Sequence, residues 1–91
     1  MTLIWKIEFD EAAKKDMAKL DKQVSKRIIR FLRERIAVSD DPRNIGQALK
    51  GSKLGNFWRY RVGDYRIVCD IQDGSLRILV VKVGNRGNVY R

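Results

Sequence analysis

The sequence predicts an α+β domain in which a pair of helices packs on one face of a four-stranded antiparallel sheet. Three observations lead to this fold class: one alternating segment near the N-terminus, two helical segments after it, and three alternating segments joined by short turns. Alternation of apolar and polar residues is typical of half-buried strands, whereas an apolar stripe at helical spacing indicates a helix that covers a sheet. The order favours one domain over residues 1–91.

The N-terminal half supplies the first strand and both helices. Residues 3–9 alternate and predict a strand, and Asp10 is well placed to cap a short helix. Asp21 is placed to cap a longer helix, which should end before Ser39-Asp40-Asp41-Pro42 because proline disfavours helical conformation at the preceding residue. Residues 43–56 are expected to form an irregular connection. The apolar positions of the helices are Ala13, Met17, Leu20, Val24, Ile28, Phe31, Leu32 and Ile36.

The stretch Trp58-Arg-Tyr-Arg-Val-Gly-Asp-Tyr-Arg66 predicts a tight hairpin. Its two-residue connection, Gly63-Asp64, offers glycine at the first position, where a positive φ is wanted. With this turn Arg61 lies directly opposite Arg66, and Arg59 lies opposite Val68. The three arginines therefore share one face of the sheet.

A second turn at Asp73-Gly74 is expected to bring back a last strand from Leu76 to Val83. This turn pairs Ile71 with Leu76, Cys69 with Ile78 and Ile67 with Val80. The expected core face is Trp58, Tyr60, Val62, Tyr65, Ile67, Cys69, Ile71, Leu76, Ile78 and Val80. The other face carries Arg59, Arg61, Arg66, Val68, Asp70, Arg77, Leu79 and Val81.

Like charges directly opposite each other destabilise a sheet by some tenths of a kcal/mol up to about 1 kcal/mol. The arginine face therefore suggests a bound phosphate, whose oxygens match the planar fork of arginine donors. The alternative is a solvated outer face on which Arg77 pairs with Asp70.

The composition of the chain limits the classes of protein to which it can belong. The chain carries 20 Lys and Arg against 11 Asp and Glu, a formal charge of +9 that attracts polyanions or an acidic protein partner. Histidine is absent, which weakens the usual catalytic triads and zinc sites. The one cysteine, Cys69, is expected to fill the core in a reducing compartment. Without a long apolar run or a secretory signal pattern, we expect a cytoplasmic protein that does not bind a membrane.

A second set of basic residues follows the polar side of the longer helix and the connection after it. Two readings of the helix remain open: a solvated surface, or a surface that binds RNA or a partner. The candidates for RNA or ribosome binding are Lys26, Arg30, Arg33, Lys50 and Lys53.

Three segments together resemble the RelE branch of the RelE/ParE toxin superfamily. They are Leu49-Lys50-Gly51, the Trp58–Arg66 hairpin and the ending Val83-Gly-Asn-Arg-Gly-Asn-Val-Tyr90. The resemblance covers essentially the whole chain and implies a RelE-like microbial ribonuclease fold. It further implies the toxin of a type II toxin–antitoxin pair: a metal-independent endoribonuclease, without cofactors, that cuts messenger RNA in the ribosomal A site. A RelB-like antitoxin would hold it inactive in a hetero-oligomer.

Within this resemblance, the positions around the scissile phosphate are Arg59, Arg61, Arg66, Arg86 and Tyr90. The implied reaction is attack of a ribose 2′-hydroxyl on the adjacent phosphate. Because arginine is a poor general base, the proton would pass to Tyr90 or to a group of the ribosome.

Two other functions remain open. One is a ParE-like gyrase inhibitor, a toxin without enzymatic activity on the same fold, and Arg86 with Tyr90 favours the RelE reading over it. The other is an RNA-binding module without chemistry, which the net charge alone would allow.

Overall fold

A computed structural model describes residues 4–49 and 57–85. The strands are β1 (Lys6–Phe9), β2 (Gln47–Ala48), β3 (Phe57–Val62), β4 (Tyr65–Gln72) and β5 (Arg77–Asn85), and the helices are α1 (Glu11–Ala18) and α2 (Lys22–Phe31). A π-helical turn (Leu32–Ile36) continues α2, and short 3₁₀ turns cover Pro42–Asn44 and Asp73–Ser75.

The strands of the described chain form one sheet in the order β1-β5-β4-β3-β2. Strands β2 to β5 pair antiparallel, whereas β1 runs parallel to β5. The α+β class with both helices on a single sheet is confirmed. The sheet is mixed and five-stranded rather than antiparallel and four-stranded, because β1 pairs parallel with β5 and the two-residue β2 adds an edge.

Both helices pack on the same face of the sheet and form the core with it. Asp10 caps α1 as expected, since its carboxylate accepts a hydrogen bond of 2.8 Å from the Ala13 backbone N–H. Asp21 occupies the N-cap of α2 but makes no capping hydrogen bond with its side chain. The buried cluster is Trp5, Ala13, Ile28, Leu32, Ile36, Tyr60, Val62, Ile67, Cys69, Ile71, Ile78, Val80 and Val83.

The β3–β4 hairpin has the expected register. Gly63 has a φ of 59°, the left-handed conformation that glycine adopts readily. Arg61 pairs with Arg66, and Arg59 pairs with Val68. The three arginines therefore lie on the face of the sheet away from the helices, which we call the outer face.

The predicted β4–β5 register is wrong. The chain turns through Asp73–Ser75 with Leu76 in the left-handed region, instead of through a two-residue turn. Ile71 consequently pairs with Ile78, and Leu76 lies in the turn with 49% of its surface exposed rather than in the core.

A β-bulge shifts the register of β5 once more. Cys69 pairs with Val80 but Val68 pairs with Lys82, so Val81 is the extra residue. A slip by one residue exchanges the faces of a strand. Val83 therefore joins the core, and Lys82 and Gly84 move to the outer face beside the arginines.

Candidate phosphate-binding site

Four basic side chains gather at one end of the outer face. Two adjacent rows run across the sheet there, Arg61–Arg66–Gly84 and Arg59–Val68–Lys82. Directly opposite side chains have Cβ atoms about 5 Å apart, and diagonal neighbours lie about 7–8 Å apart. We call the group of Arg59, Arg61, Arg66 and Lys82 the cationic end.

Arg66 is the most deeply placed of the four. Only 8% of its surface is exposed, and its Nη1 atom donates to the backbone carbonyls of Gly63 at 3.4 Å and Tyr65 at 3.2 Å. Across residues 4–49 and 57–85, no carboxylate pairs with Arg66. A buried cation without a counterion has a large desolvation penalty, so this position suits an anion that arrives from outside.

Arg61 is exposed, and in the described part of the chain no carboxylate pairs with it either. Arg59 is half-buried beside it. A pocket of about 310 Å³ opens next to both arginines at the β2 edge, where Phe31, Ile45, Gly46 and Gln47 complete its lining. The cationic end thus adjoins a concave, partly apolar surface.

The rest of the outer face carries paired charges. Arg77 Nη1 donates to Glu8 Oε1 at 2.8 Å, and Arg77 Nε donates to Gln72 Oε1 at 2.6 Å. Gln72 donates in turn to Asp70 at 2.9 Å, and Lys6 forms an ion pair with Glu8 at 3.6 Å. Arg77 therefore pairs with Glu8 rather than with Asp70. We call this group the paired end.

The ion pairs of the paired end also shift the pKa of one carboxyl group. Hydrogen bonding to the Arg77 guanidinium lowers the pKa of the Glu8 carboxyl below its usual 4.5. Glu8 therefore stays ionised and keeps Arg77 neutralised at neutral pH.

Lys82 is the site residue that the sequence pattern missed. Strict alternation along β5 puts Lys82 on the core face, and only the bulge at Val81 moves it to the outer face. A lysine at an expected core position of an otherwise apolar strand is the one signal in the sequence that could have revealed it.

The basic residues of α2 lie apart from the cationic end. Lys26 and Arg30 are exposed on α2, and Arg33 is exposed on the π-helical turn that continues it, on the opposite face of the sheet. Arg27 is nearer, because its Nη1 would lie 3.0 Å from a Cβ atom placed on Gly63 in the hairpin turn. Four further candidates, Lys50, Lys53, Arg86 and Tyr90, lie outside the described residues.

Two buried groups of the core are unsuited to accept a proton. Tyr60 donates its hydroxyl to the Pro42 carbonyl at 2.9 Å, and burial raises the pKa of its phenol. Burial likewise raises the pKa of the Cys69 thiol, which is fully buried as predicted for a core residue. Neither group is a candidate general base or nucleophile.

A second concave surface lies between the helices and the β1 edge. It has a volume of about 610 Å³ and is mostly lined by apolar side chains, among them Phe9, Met17 and Ile29. Ile29 is 41% exposed and adds an accessible apolar side chain to this concave surface. Separately, no helix in the described ranges has the length and apolar character to cross a membrane.

Comparison with known proteins identifies relatives of this chain. The family model described as the ParE toxin of type II toxin–antitoxin systems matches residues 7–90. Toxin RelG of Mycobacterium tuberculosis is 26% identical over 85 residues, which cover 93% of this chain and 94% of that protein.

Solved structures share the fold. A chain of the RelBE2 toxin–antitoxin complex of M. tuberculosis superposes with a TM-score of 0.82 at 20% identity, covering 97% of this chain and 98% of that one. The isolated E. coli RelE toxin gives a TM-score of 0.72 at 22% identity, covering 94% and 88%. Because the family model spans nearly the whole sequence, the chain belongs to the ParE toxin family of type II toxin–antitoxin systems, within the RelE/ParE superfamily that its motifs predicted.

Proposed function

We propose that this toxin acts in the cytoplasm as a ribosome-dependent endoribonuclease that cuts messenger RNA in the A site. One observation carries the proposal: Arg61 and Arg66 are direct cross-strand neighbours, and no carboxylate of the described chain neutralises them. This arrangement opposes folding and suits a phosphodiester.

The proposed reaction is a transesterification within the RNA. A ribose 2′-oxygen bonds to the adjacent phosphorus while the bond from phosphorus to the 5′-oxygen breaks, which gives a cyclic phosphate and a free 5′-hydroxyl. Arg59, Arg61 and Arg66 would hold the phosphate and stabilise the charge that develops on its oxygens. By resemblance, Arg86 joins them and Tyr90 orients the nucleotide.

Two proton transfers balance this reaction: the first proton leaves the 2′-hydroxyl, and the second reaches the departing 5′-oxygen from solvent water. The arginines remain charged and do not accept the first. Tyr90 or a group of the ribosome would take it, the two alternatives that the sequence leaves open. If a group of the ribosome takes the proton, cleavage depends on the ribosome for a physical reason.

The experiment is primer extension on a defined messenger bound to purified ribosomes. We expect new 3′ ends at the A-site codon when the ribosome is present and none on the naked messenger. Intact messenger after incubation with folded protein would contradict the nuclease function. Cleavage of naked RNA at a similar rate would contradict its dependence on the ribosome.

We also propose a RelB-like antitoxin as the partner that inhibits this toxin. Similar folds occur in solved RelB–RelE complexes from E. coli and Pyrococcus horikoshii. The apolar surface that contains Phe9, Met17 and Ile29 suits the apolar side of an amphipathic helix of that antitoxin.

The Ile29→Glu variant tests this surface. A buried carboxylate should weaken antitoxin binding by about 2 kcal/mol or more, while cleavage on the ribosome stays unchanged. Calorimetric titration with the antitoxin encoded beside the toxin measures the first effect. Glu34→Gln, on an exposed helix position, is the control. Equal affinity of the Ile29→Glu and parental proteins would place the antitoxin elsewhere.

A gyrase inhibitor is the second candidate function, because the matching family model is that of the ParE toxin. Such a toxin would block supercoiling by purified gyrase and leave ribosome-bound messenger intact. Running both assays with one preparation separates the two functions.

A further inference from the structure

We infer that Lys82 is a further cationic contact to the phosphate, a role that rests on the function proposed above. The bulge at Val81 moves Lys82 from the core face to the outer face, and the strand continues from there for three more residues. β-bulges commonly re-aim a side chain next to a functional site. In this sheet the re-aimed side chain is a lysine.

The pairing of the strands fixes the position of Lys82. It lies opposite Val68 and diagonal to Arg66, whose direct partner on β5 is Gly84. Because glycine has no side chain, the space beside Arg66 on this strand is bordered by Lys82 instead. Diagonal neighbours are about 7–8 Å apart at Cβ, a separation that long side chains span when both contact one phosphate between them.

The charge of Lys82 has no partner within the protein as described. Its ammonium makes no ion pair or hydrogen bond in residues 4–49 and 57–85, and the residue is half-buried. Lys6, which lies on the outer face of β1, differs in this respect because it pairs with Glu8 at 3.6 Å. The bulge therefore adds a third unneutralised cation beside Arg61 and Arg66.

Lysine presents its hydrogen-bond donors in a different geometry from arginine. An ammonium is a compact point charge with three rotatable donors, whereas a guanidinium has a rigid planar fork. On the phosphate held by Arg66, Lys82 would contact an oxygen outside the plane of that fork. It would thus stabilise the charge that grows as the phosphorus gains a fifth oxygen.

The test compares Lys82→Met with Lys6→Met. Both variants remove one positive charge from the outer face and keep a long apolar stem. With ribosome-bound messenger, we expect the single-turnover cleavage rate of Lys82→Met to fall about 10- to 100-fold, with Lys6→Met near the parental rate. Lys82→Arg should recover most of the lost rate, because the charge returns.

A second measurement does not depend on cleavage. Inorganic pyrophosphate should raise the thermal unfolding midpoint of the parental protein and of Lys6→Met, and it should raise that of Lys82→Met by clearly less. Equal shifts in the two variants, or equal cleavage rates, would overturn the role of Lys82. A Lys82→Arg protein as impaired as Lys82→Met would also overturn it. If the parental protein leaves ribosome-bound messenger intact, the nuclease proposal fails while the pyrophosphate comparison still decides whether Lys82 binds a phosphate.

Discussion

The two ends of the outer face differ in the ion pairs that their charged side chains form. At the paired end, Arg77 donates to Glu8 and Gln72, so its positive charge is neutralised by its neighbours. At the cationic end, Arg61 lies opposite Arg66, and no carboxylate of the described chain forms an ion pair with either of them. The sheet thus forms ion pairs at the paired end, whereas within the described residues neither Arg61 nor Arg66 forms one.

The two ends also differ in how deeply their arginines are buried. The side chain of the paired Arg77 is 39% exposed, whereas Arg66 as a whole residue is only 8% exposed. Folding stability alone would favour the reverse, because the desolvation penalty of a charge rises with burial and a partner offsets it. This difference indicates that binding of an external anion explains the burial of Arg66 better than folding stability does.

The largest expected effect is a difference in cleavage rate between variants of Arg66 and Arg77. Arg66→Gln should lower the rate of messenger cleavage about 100- to 1000-fold, because it removes a donor to the developing phosphoryl charge. Arg77→Gln should cleave at nearly the parental rate. Single-turnover cleavage on ribosomes measures both, and equal losses in the two variants would remove the distinction between the ends.

The edge beside the cationic end should be intolerant of added volume. A Cβ atom on Gly46 would lie 2.8 Å from the Tyr60 ring and 2.9 Å from the Arg59 carbonyl oxygen. Gly46→Ala should therefore destabilise the fold by about 1–3 kcal/mol in urea unfolding. Gly74→Ala is the matched control, since nothing lies within 4 Å of a Cβ there. Equal stability of the two variants would mean that the edge can relax.

Asp16 should support the part of β5 that carries Lys82. Its carboxylate accepts a hydrogen bond of 3.0 Å from the Val83 backbone N–H, beyond the last pair that β1 makes with β5. Asp16→Ala leaves this donor unpaired and should lower the free energy of unfolding by about 1 kcal/mol. Glu11→Ala, which breaks only an exposed ion pair on the same helix, should change it little. An unaltered Asp16→Ala protein would argue against this support.

The smallest effect is a pH dependence that belongs to the paired end. Arg77 lowers the pKa of Glu8 in the folded state, so the stability from this pair is complete above the usual value of 4.5 and is lost as the pH falls through the lowered pKa. Arg77→Gln should flatten this part of the dependence. Unfolding midpoints recorded from about pH 6 to about pH 3 would reveal it. A slope unchanged by Arg77→Gln would assign the acid sensitivity to other carboxylates.

The sequence was sufficient wherever a local signal determined the structure. The Gly63-Asp64 turn fixes the pairing of Arg61 with Arg66, and alternation then assigns the faces of β3 and β4. Asp10 was likewise identified as a cap from its position alone. These features depend on a few adjacent residues.

The features that the sequence did not reveal depend on distant contacts. The turn after Gln72 uses a left-handed Leu76, which a residue pattern does not favour, and the bulge at Val81 is marked in the sequence only by a lysine at an expected core position. The parallel pairing of β1 with β5 joins residues 6–9 to residues 77–80, which are far apart in the sequence, and β2 is only two residues long. Lys82 was missed for the same reason, while the roles of Arg86 and Tyr90 stay predictions from resemblance.

Arg61→Gln tests most directly whether the cationic end is kept for a phosphate at the expense of stability. Urea unfolding and ribosome-bound cleavage should be measured on the same preparation. Removal of one of two opposed like charges should raise the free energy of unfolding by some tenths of a kcal/mol, and loss of a phosphate donor should slow cleavage about 100-fold. A variant that is less stable than the parent and cleaves equally fast would contradict the account.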